Sequence, residues 1–166
     1  HKDSTFAELK GAIFRAYGEH AERYWKVVES PRSITSRVTG NKVIFRGMKD
    51  SSQRERIKSI NFSNGKLIWI WIEEATELEE DDLSMLETRL RGILSNPNLY
   101  YQITCTFNPI HASHWLKRNF FDLTPDNPIR QTVYLHNSTY LDNAFIDKRY
   151  HEQMQYLKLR NPDMYK

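Results

Sequence analysis

Leu67-Ile68-Trp69-Ile70-Trp71-Ile72-Glu73-Glu74 is the stretch on which the reading of this chain turns. Its first six positions are apolar without alternation, the pattern of a parallel strand covered on both faces, and the run breaks abruptly into two carboxylates. Trp69 and Trp71 alternate with isoleucines inside that strand, so they are expected in the core and not as a base-stacking platform. Beyond the acids, Thr76 and Glu79 have capping-box spacing, and Leu83, Leu86, Leu90 and Ile93 trace a helical stripe that stops before Asn96-Pro97. The unit reads as a central strand followed by a helix.

Upstream, Thr5 and Glu8 again have capping-box spacing, and Phe6, Leu9, Ile13 and Tyr17 recur on one helical face, which predicts an opening amphipathic helix ending near Gly18. Ser33 to Val38 and Lys42 to Arg46 alternate about Thr39-Gly40-Asn41, good chemistry for a hairpin turn. Downstream, Leu99 to Thr106 is a second strand, broken by Asn108-Pro109, and Ile129 to Leu135 a third. Phe145 to Leu159 closes the chain as a helix, with Ile146, Tyr150, Met154 and Leu157 on one face. Strands separated by helices predict an α/β domain with a mostly parallel sheet flanked by helices, the hairpin being an antiparallel addition. There are no internal repeats and no low-complexity tracts.

Composition narrows the class of protein. A length of 166 residues is that of one ordinary domain, and an apolar share of 39% with a charged share of 27% argues against a disordered tail. The lone Cys105 makes no internal disulfide, and no charged-then-apolar leader opens the chain, so an intracellular, reducing setting is expected. No apolar run approaches the roughly 18 residues of a membrane span. A net charge of +3 and a pI near 8.9 tolerate a polyanionic partner without the basic stripe that would argue for one.

In open α/β sheets ligands bind at the carboxyl ends of the strands, which directs attention to Glu73-Glu74 and to Thr106-Phe107-Asn108. Consecutive strand residues project in different directions, so one carboxylate can face a metal while its neighbour faces water. Glu73 suits the first role, since Mg²⁺ takes hard oxygen ligands and keeps several waters. Glu74 suits the second, orienting or deprotonating an attacking water. The competing reading makes the whole run to Asp82 an acidic helix start that complements the helix dipole. That reading is assigned to Glu79 through Asp82; for Glu73 and Glu74 both readings stand on residue pattern alone. Asn108 beside Pro109 also fits an ordinary turn. His111 and His114 lack a nearby Cys or acid and are read as surface or capping residues, and no zinc is expected. Arg89 and Arg91 are ordinary complements to a helix end. Arg46 and Lys58 belong to a solvated surface, with phosphate or DNA contacts as the sharper alternative.

Ile68-Trp69-Ile70-Trp71-Ile72-Glu73-Glu74-Ala75 resembles the Walker B segment of phage terminase large subunits of the PBSX-like type, where a hydrophobic strand ends in paired acids followed by Ala. Gly40-Asn41-Lys42-Val43-Ile44-Phe45-Arg46-Gly47 and Ile57-Lys58-Ser59-Ile60 resemble the stretch of that family between the phosphate loop and Walker B. Thr104-Cys105-Thr106-Phe107-Asn108-Pro109 resembles its coupling motif, and Ser138-Thr139-Tyr140-Leu141-Asp142-Asn143 the approach to its lid. Order and spacing together carry the likeness over nearly the whole chain.

The resemblance implies that residues 1–166 are a partial P-loop NTPase domain of the ASCE type that begins after the P-loop, with 137–166 leading toward the lid. It implies an ATP-driven motor moving double-stranded DNA through a portal protein into a prohead. Terminase small subunit, other large-subunit copies in a ring and the host cell cytoplasm come with it. Glu73 is then the acid associated with Mg²⁺ and ATP, Glu74 the catalytic one, and Thr106 and Asn108 report the state of the γ-phosphate. Glu at position 73, where most Walker B strands carry Asp, fits this subfamily. A P-loop needs G-x-x-x-x-G-K-[ST], and the one Gly-Lys pair, Gly65-Lys66, is followed by Leu67 with Ile60 in place of the leading Gly. The chain by itself is therefore expected to hydrolyse no ATP. Two other classes compete. One is a two-metal nuclease drawing on Asp122, Asp126 or Asp142, which lie beside no obvious strand end. The other is a nucleic-acid or assembly module with Arg46, Lys49, Arg54, Arg56 and Lys58 as its basic surface.

Overall fold

The structure, a computed structural model, describes residues 2–62, 65–108 and 111–162. It divides into two compact units, residues 1–116 and 117–166, each described by itself.

The first unit opens with α1 (Lys2–Tyr17), which ends where Gly18 takes φ 55, a left-handed value that glycine adopts without a Cβ penalty. A short α2 (Ala21–Tyr24) leads into β1 (Trp25–Glu29), which pairs antiparallel with β2 (Arg32–Ser36), which in turn pairs with β3 (Lys42–Ile44). The expected hairpin is present: Gly40 at φ 75 turns the chain, and its N–H donates to the Ser36 carbonyl at 2.9 Å. β1 was not anticipated, although Lys26-Val27-Val28 before Ser30-Pro31 carries strand and turn residues. Phe6 and Ile13 of α1 enter one core with Ala21, Ile34 and Phe45, and Leu9, Trp25 and Val27 pack against it. The Phe6 and Phe45 rings meet edge to face, centroids 5.1 Å apart.

α3 (Ser51–Lys58) is capped by Asp50, whose carboxylate accepts from the Gln53 N–H at 2.9 Å. β4 (Trp69–Glu73) then pairs parallel with β5 (Gln102–Thr106), with α4 (Glu80–Glu87) between them in sequence. The α/β character of the reading is present, but the single mostly parallel sheet is not. Among the described residues there is a two-stranded parallel sheet and a separate three-stranded antiparallel one.

Four local expectations need correcting. Trp69 and Trp71 are 57% and 51% exposed and not core, because among the described residues β4 has a neighbour on one side only and the face carrying the tryptophans is left open. α4 starts from a capping box of Glu79 with Asp82 and not from Thr76, and it stops at Glu87. Thr88 turns its hydroxyl onto the Met85 carbonyl at 2.7 Å, Gly92 takes φ 98, and Ile93 is left 88% exposed. In the second unit the expected strand from Ile129 is helix α5 (Pro128–Thr132). Asn127 accepts from the Ile129 N–H at 2.9 Å, and Pro128 supplies a preset φ at the first helical position. Finally, α1 begins ahead of Thr5, so the Thr5 hydroxyl is not its N-cap.

The second unit also contains α6 (Lys148–Arg160), capped by Asp147, whose carboxylate accepts from the Tyr150 N–H at 2.8 Å. None of its described residues is buried. No helix among the described residues is long and apolar enough to cross a membrane.

Candidate functional site

The site is built by parallel register. Pairing β4 with β5 sets Trp69 beside Gln102, Trp71 beside Thr104 and Glu73 beside Thr106, so both strands deliver their carboxyl ends to one rim. Alternate residues share a face, which makes Glu73 the next step of the face carrying Trp69 and Trp71. The two indoles are pinned across the pair, Trp69 Nε1 donating to Thr104 Oγ1 at 3.0 Å and Trp71 Nε1 to Thr106 Oγ1 at 3.2 Å. Thr106 in turn donates to the Ile72 carbonyl at 3.4 Å. These bonds hold the strand ends in register at the point where the acids begin.

The two acids differ in how they are held. Glu73, half-buried, receives a hydrogen bond on Oε2 from the Thr5 hydroxyl of α1. Among the described residues its Oε1 has no hydrogen-bond or ion-pair partner. Glu74 sits at φ 54, ψ 53, a left-handed conformation and the one positive φ among described non-glycine residues. For a side chain with a Cβ this costs about 1–2 kcal/mol, and such strained positions cluster at functional sites. Its carbonyl accepts from the Glu77 N–H at 2.9 Å, while its carboxylate has no partner among the described residues. An ordinary acidic helix start explains neither feature, because Glu74 precedes a turn of 3-10 helix, Ala75–Glu77, and α4 begins only at Glu80.

Two further contacts fasten the chain just beyond the acids. His114 Nε2 donates to the Thr76 carbonyl at 3.2 Å while Nδ1 accepts from the Leu116 N–H at 3.2 Å, which assigns the proton to Nε2. Trp115 Nε1 donates to the Leu78 carbonyl at 2.8 Å. The segment after β5 is thereby tied to the segment after β4. His114 therefore bridges two segments 38 residues apart, and among the described residues no group of three or more His, Cys, Asp or Glu is placed to hold a metal by itself.

Asn108 is exposed two residues past Thr106, and Pro109, its expected turn partner, lies outside the described residues. Arg46 is exposed and donates to the carbonyl of its neighbour Phe45 at 2.8 Å. Lys58 is exposed and ion-paired with Glu55 at 2.7 Å. Neither side chain has a hydrogen bond or ion pair to Glu73 or Glu74.

Sequence reasoning missed three residues of consequence. Thr5 reads as a cap and instead reaches Glu73. Asp82 reads as one more helix-start acid, yet it is buried and takes a two-pronged ion pair from Arg54, Nε to Oδ1 at 2.7 Å and Nη2 to Oδ2 at 2.9 Å. That bond raises the affinity of the Arg54 guanidinium for its proton. The sequence holds no signal for either pairing. Cys105, between Thr104 and Thr106 in β5, has its thiol pKa pushed up to about 11 by burial, with Glu87 adding to the effect, so it is a protonated wall and not a nucleophile.

Residues 1–166 match the profile of the phage terminase large subunit family. The chain is 32% identical over 168 residues to the terminase large subunit of Bacillus phage SPP1, covering 99% of this chain and 37% of that protein. It is 29% identical over 181 residues to the PBSX phage terminase large subunit of Bacillus subtilis (strain 168), covering 100% of this chain and 38% of that protein. It therefore spans just over a third of the length of these relatives. The chain belongs to the phage terminase large subunit family.

Proposed function

We propose that residues 1–166 form part of the ATP-hydrolysing DNA-packaging motor of a phage terminase large subunit, contributing the Walker B acids and the coupling motif of a P-loop NTPase fold. The observation that carries this reading is the rim itself. An anchored Glu73 and a strained Glu74, whose carboxylate has no partner among the described residues, lie where a parallel strand ends beside Thr106. Ligands of open α/β sheets bind at such strand ends.

The residues fit magnesium delivered with a nucleotide better than a resident metal. Mg²⁺ is commonly bound through one or two carboxylates with phosphates and waters completing its shell, so one carboxylate oxygen left open on Glu73 is an adequate donor set. When bound, the ion neutralises charge on the phosphate oxygens. Glu73 would hold that ion, through water or directly. Glu74, its carboxylate uncommitted, orients the attacking water and takes its proton. Thr106, the last residue of β5, and Asn108, two residues farther on, respond to the state of the γ-phosphate. Double-stranded DNA, a portal protein, a terminase small subunit and further large-subunit copies in a ring are the partners, in the host cell cytoplasm.

The competing basic module draws less support, because Arg54 is committed to Asp82 and Lys58 to Glu55. The test is enzymatic. In a polypeptide joining residues 1–166 to an upstream glycine-rich phosphate loop, Glu74→Gln is expected to leave ATP binding intact and to lower turnover at least about a hundredfold. Unchanged turnover in that variant would overturn the assignment of Glu74, and robust Mg-dependent turnover by residues 1–166 alone would overturn the expectation that the chain is inactive without a phosphate loop.

A further inference from the structure

We propose that Thr5 is a positioning residue for Glu73: its hydroxyl fixes Oε2 of that carboxylate so that Oε1 is presented to the cation accompanying the nucleotide. The inference rests on the reading of Glu73 given above and adds to it a residue from a different element, 68 positions away in sequence.

The argument starts from how firmly Thr5 is itself held. Its neighbour Phe6 is 3% exposed and lies edge to face against Phe45, with the Arg32 guanidinium over its ring at 5.6 Å. On the other side of Thr5, Asp3 is ion-paired with Arg32 at 2.5 Å, and farther along the helix Lys10 is paired with Glu29 at 2.6 Å. α1 is therefore fastened to the antiparallel sheet at Asp3, Phe6, Lys10 and Ile13, and Thr5 projects from a rigid helix. Thr5 lies within α1, which starts at Lys2, and is not its N-cap. Its β-branched side chain has few rotamers in a helix, so the hydroxyl is preoriented toward the end of β4.

Glu73, by contrast, ends a strand with one paired neighbour and has several rotatable bonds. Without a second contact its carboxylate would sweep a wide arc. A hydroxyl donor to one oxygen of a metal-facing carboxylate selects its orientation and leaves the other oxygen available, the arrangement by which outer groups tune metal ligands. The same bond joins the packed core of α1 with β1–β3 to the rim where the acids stand.

The experiment uses the polypeptide joining residues 1–166 to an upstream glycine-rich phosphate loop, saturated with ADP, with Mn²⁺ as the paramagnetic probe, comparing wild type with Thr5→Val, Thr5→Ser and Glu73→Gln. Mn²⁺ affinity is read from free-ion electron paramagnetic resonance, and the order of the Glu73 side chain from relaxation of its ¹³C-labelled methylenes. Thr5→Val, which keeps the shape and removes the donor, is expected to weaken Mn²⁺ binding roughly tenfold and to loosen the Glu73 side chain. Thr5→Ser is expected to restore both, and the thermal midpoints of all Thr5 variants to stay close to wild type. Wild-type affinity and Glu73 order in Thr5→Val, with binding lost in Glu73→Gln, would overturn the role of Thr5 while leaving the reading of Glu73 standing. Mn²⁺ binding that Glu73→Gln does not alter, or no binding by wild type, would overturn both. Failure of Thr5→Ser to rescue would show that the threonine acts through packing and not through its hydroxyl.

Discussion

α1 with β1–β3 and the pair β4–β5 lie in the same unit and treat apolar surface in opposite ways. The first encloses its large side chains, with Ile34 only 1% exposed and Phe6 beside it in one core. The second leaves two tryptophans more than half in solvent, each tied down by a single indole hydrogen bond. Connectivity explains the difference. Antiparallel strands joined by short turns find neighbours within a few residues, and the helix just before them supplies a lid. Parallel strands need a long crossover and layers on both faces. An apolar strand therefore reports the capacity to be buried, and burial itself depends on what the rest of the chain brings to its faces.

The contrast can be broken most directly at Phe6. Phe6→Ala should cost about 3–5 kcal/mol, read as a lowered urea midpoint by circular dichroism; a loss below about 1 kcal/mol would mean that the antiparallel half is not the stabilising core. Cys105 tests how dry the parallel pair is. Its folded pKa of about 11 lies above the ordinary thiol value of 9.0, so the folded chain keeps a proton that the unfolded chain releases. This contribution is whole below pH 9 and disappears as pH rises through about 11, a loss on the order of 1–2 kcal/mol once partial exposure is allowed for. Urea titrations across that window, flattened in Cys105→Ala, would show it, and alkylation at neutral pH should be slow until the chain unfolds.

Glu74→Gly probes the strained rim. Relief of the left-handed conformation should stabilise the chain by up to about 1 kcal/mol, offset in part by the greater freedom of glycine when unfolded. A destabilised variant would show that the Glu74 side chain is held by packing and not merely tolerated. The smallest effect belongs to the open face. Trp69→Phe and Trp71→Phe should each change stability by less than about 1 kcal/mol, and both tryptophans should be readily quenched by acrylamide. Costs equal to that of Phe6→Ala would erase the distinction between the two regions.

How much was legible from residues alone follows the same line. The Gly40 turn, the hairpin around it, the strand before the acids and the closing helix were readable, because each depends on neighbours a few positions away. The acids of the candidate site were visible too, since a hydrophobic run ending in Glu73-Glu74 can be read in one dimension. α5 was also available, in Asn127-Pro128, and was misread because Ile129 to Leu135 has strand-like composition. Asp50 and Gln53 marked α3 in the same way.

By itself the sequence determined which side chains end the apolar strand β4, where several local turns and caps fall, and which family the chain resembles. Only the tertiary structure decided that Thr5 serves Glu73 instead of its own helix, that Arg54 closes on Asp82, that Glu74 bends into left-handed space, and that the tryptophan face stands open. The physical reason is range. Caps and turns are settled by hydrogen bonds within one or two turns of backbone, whereas the partner of a carboxylate 68 residues away, and the cover over a sheet, exist only once distant segments share the same space.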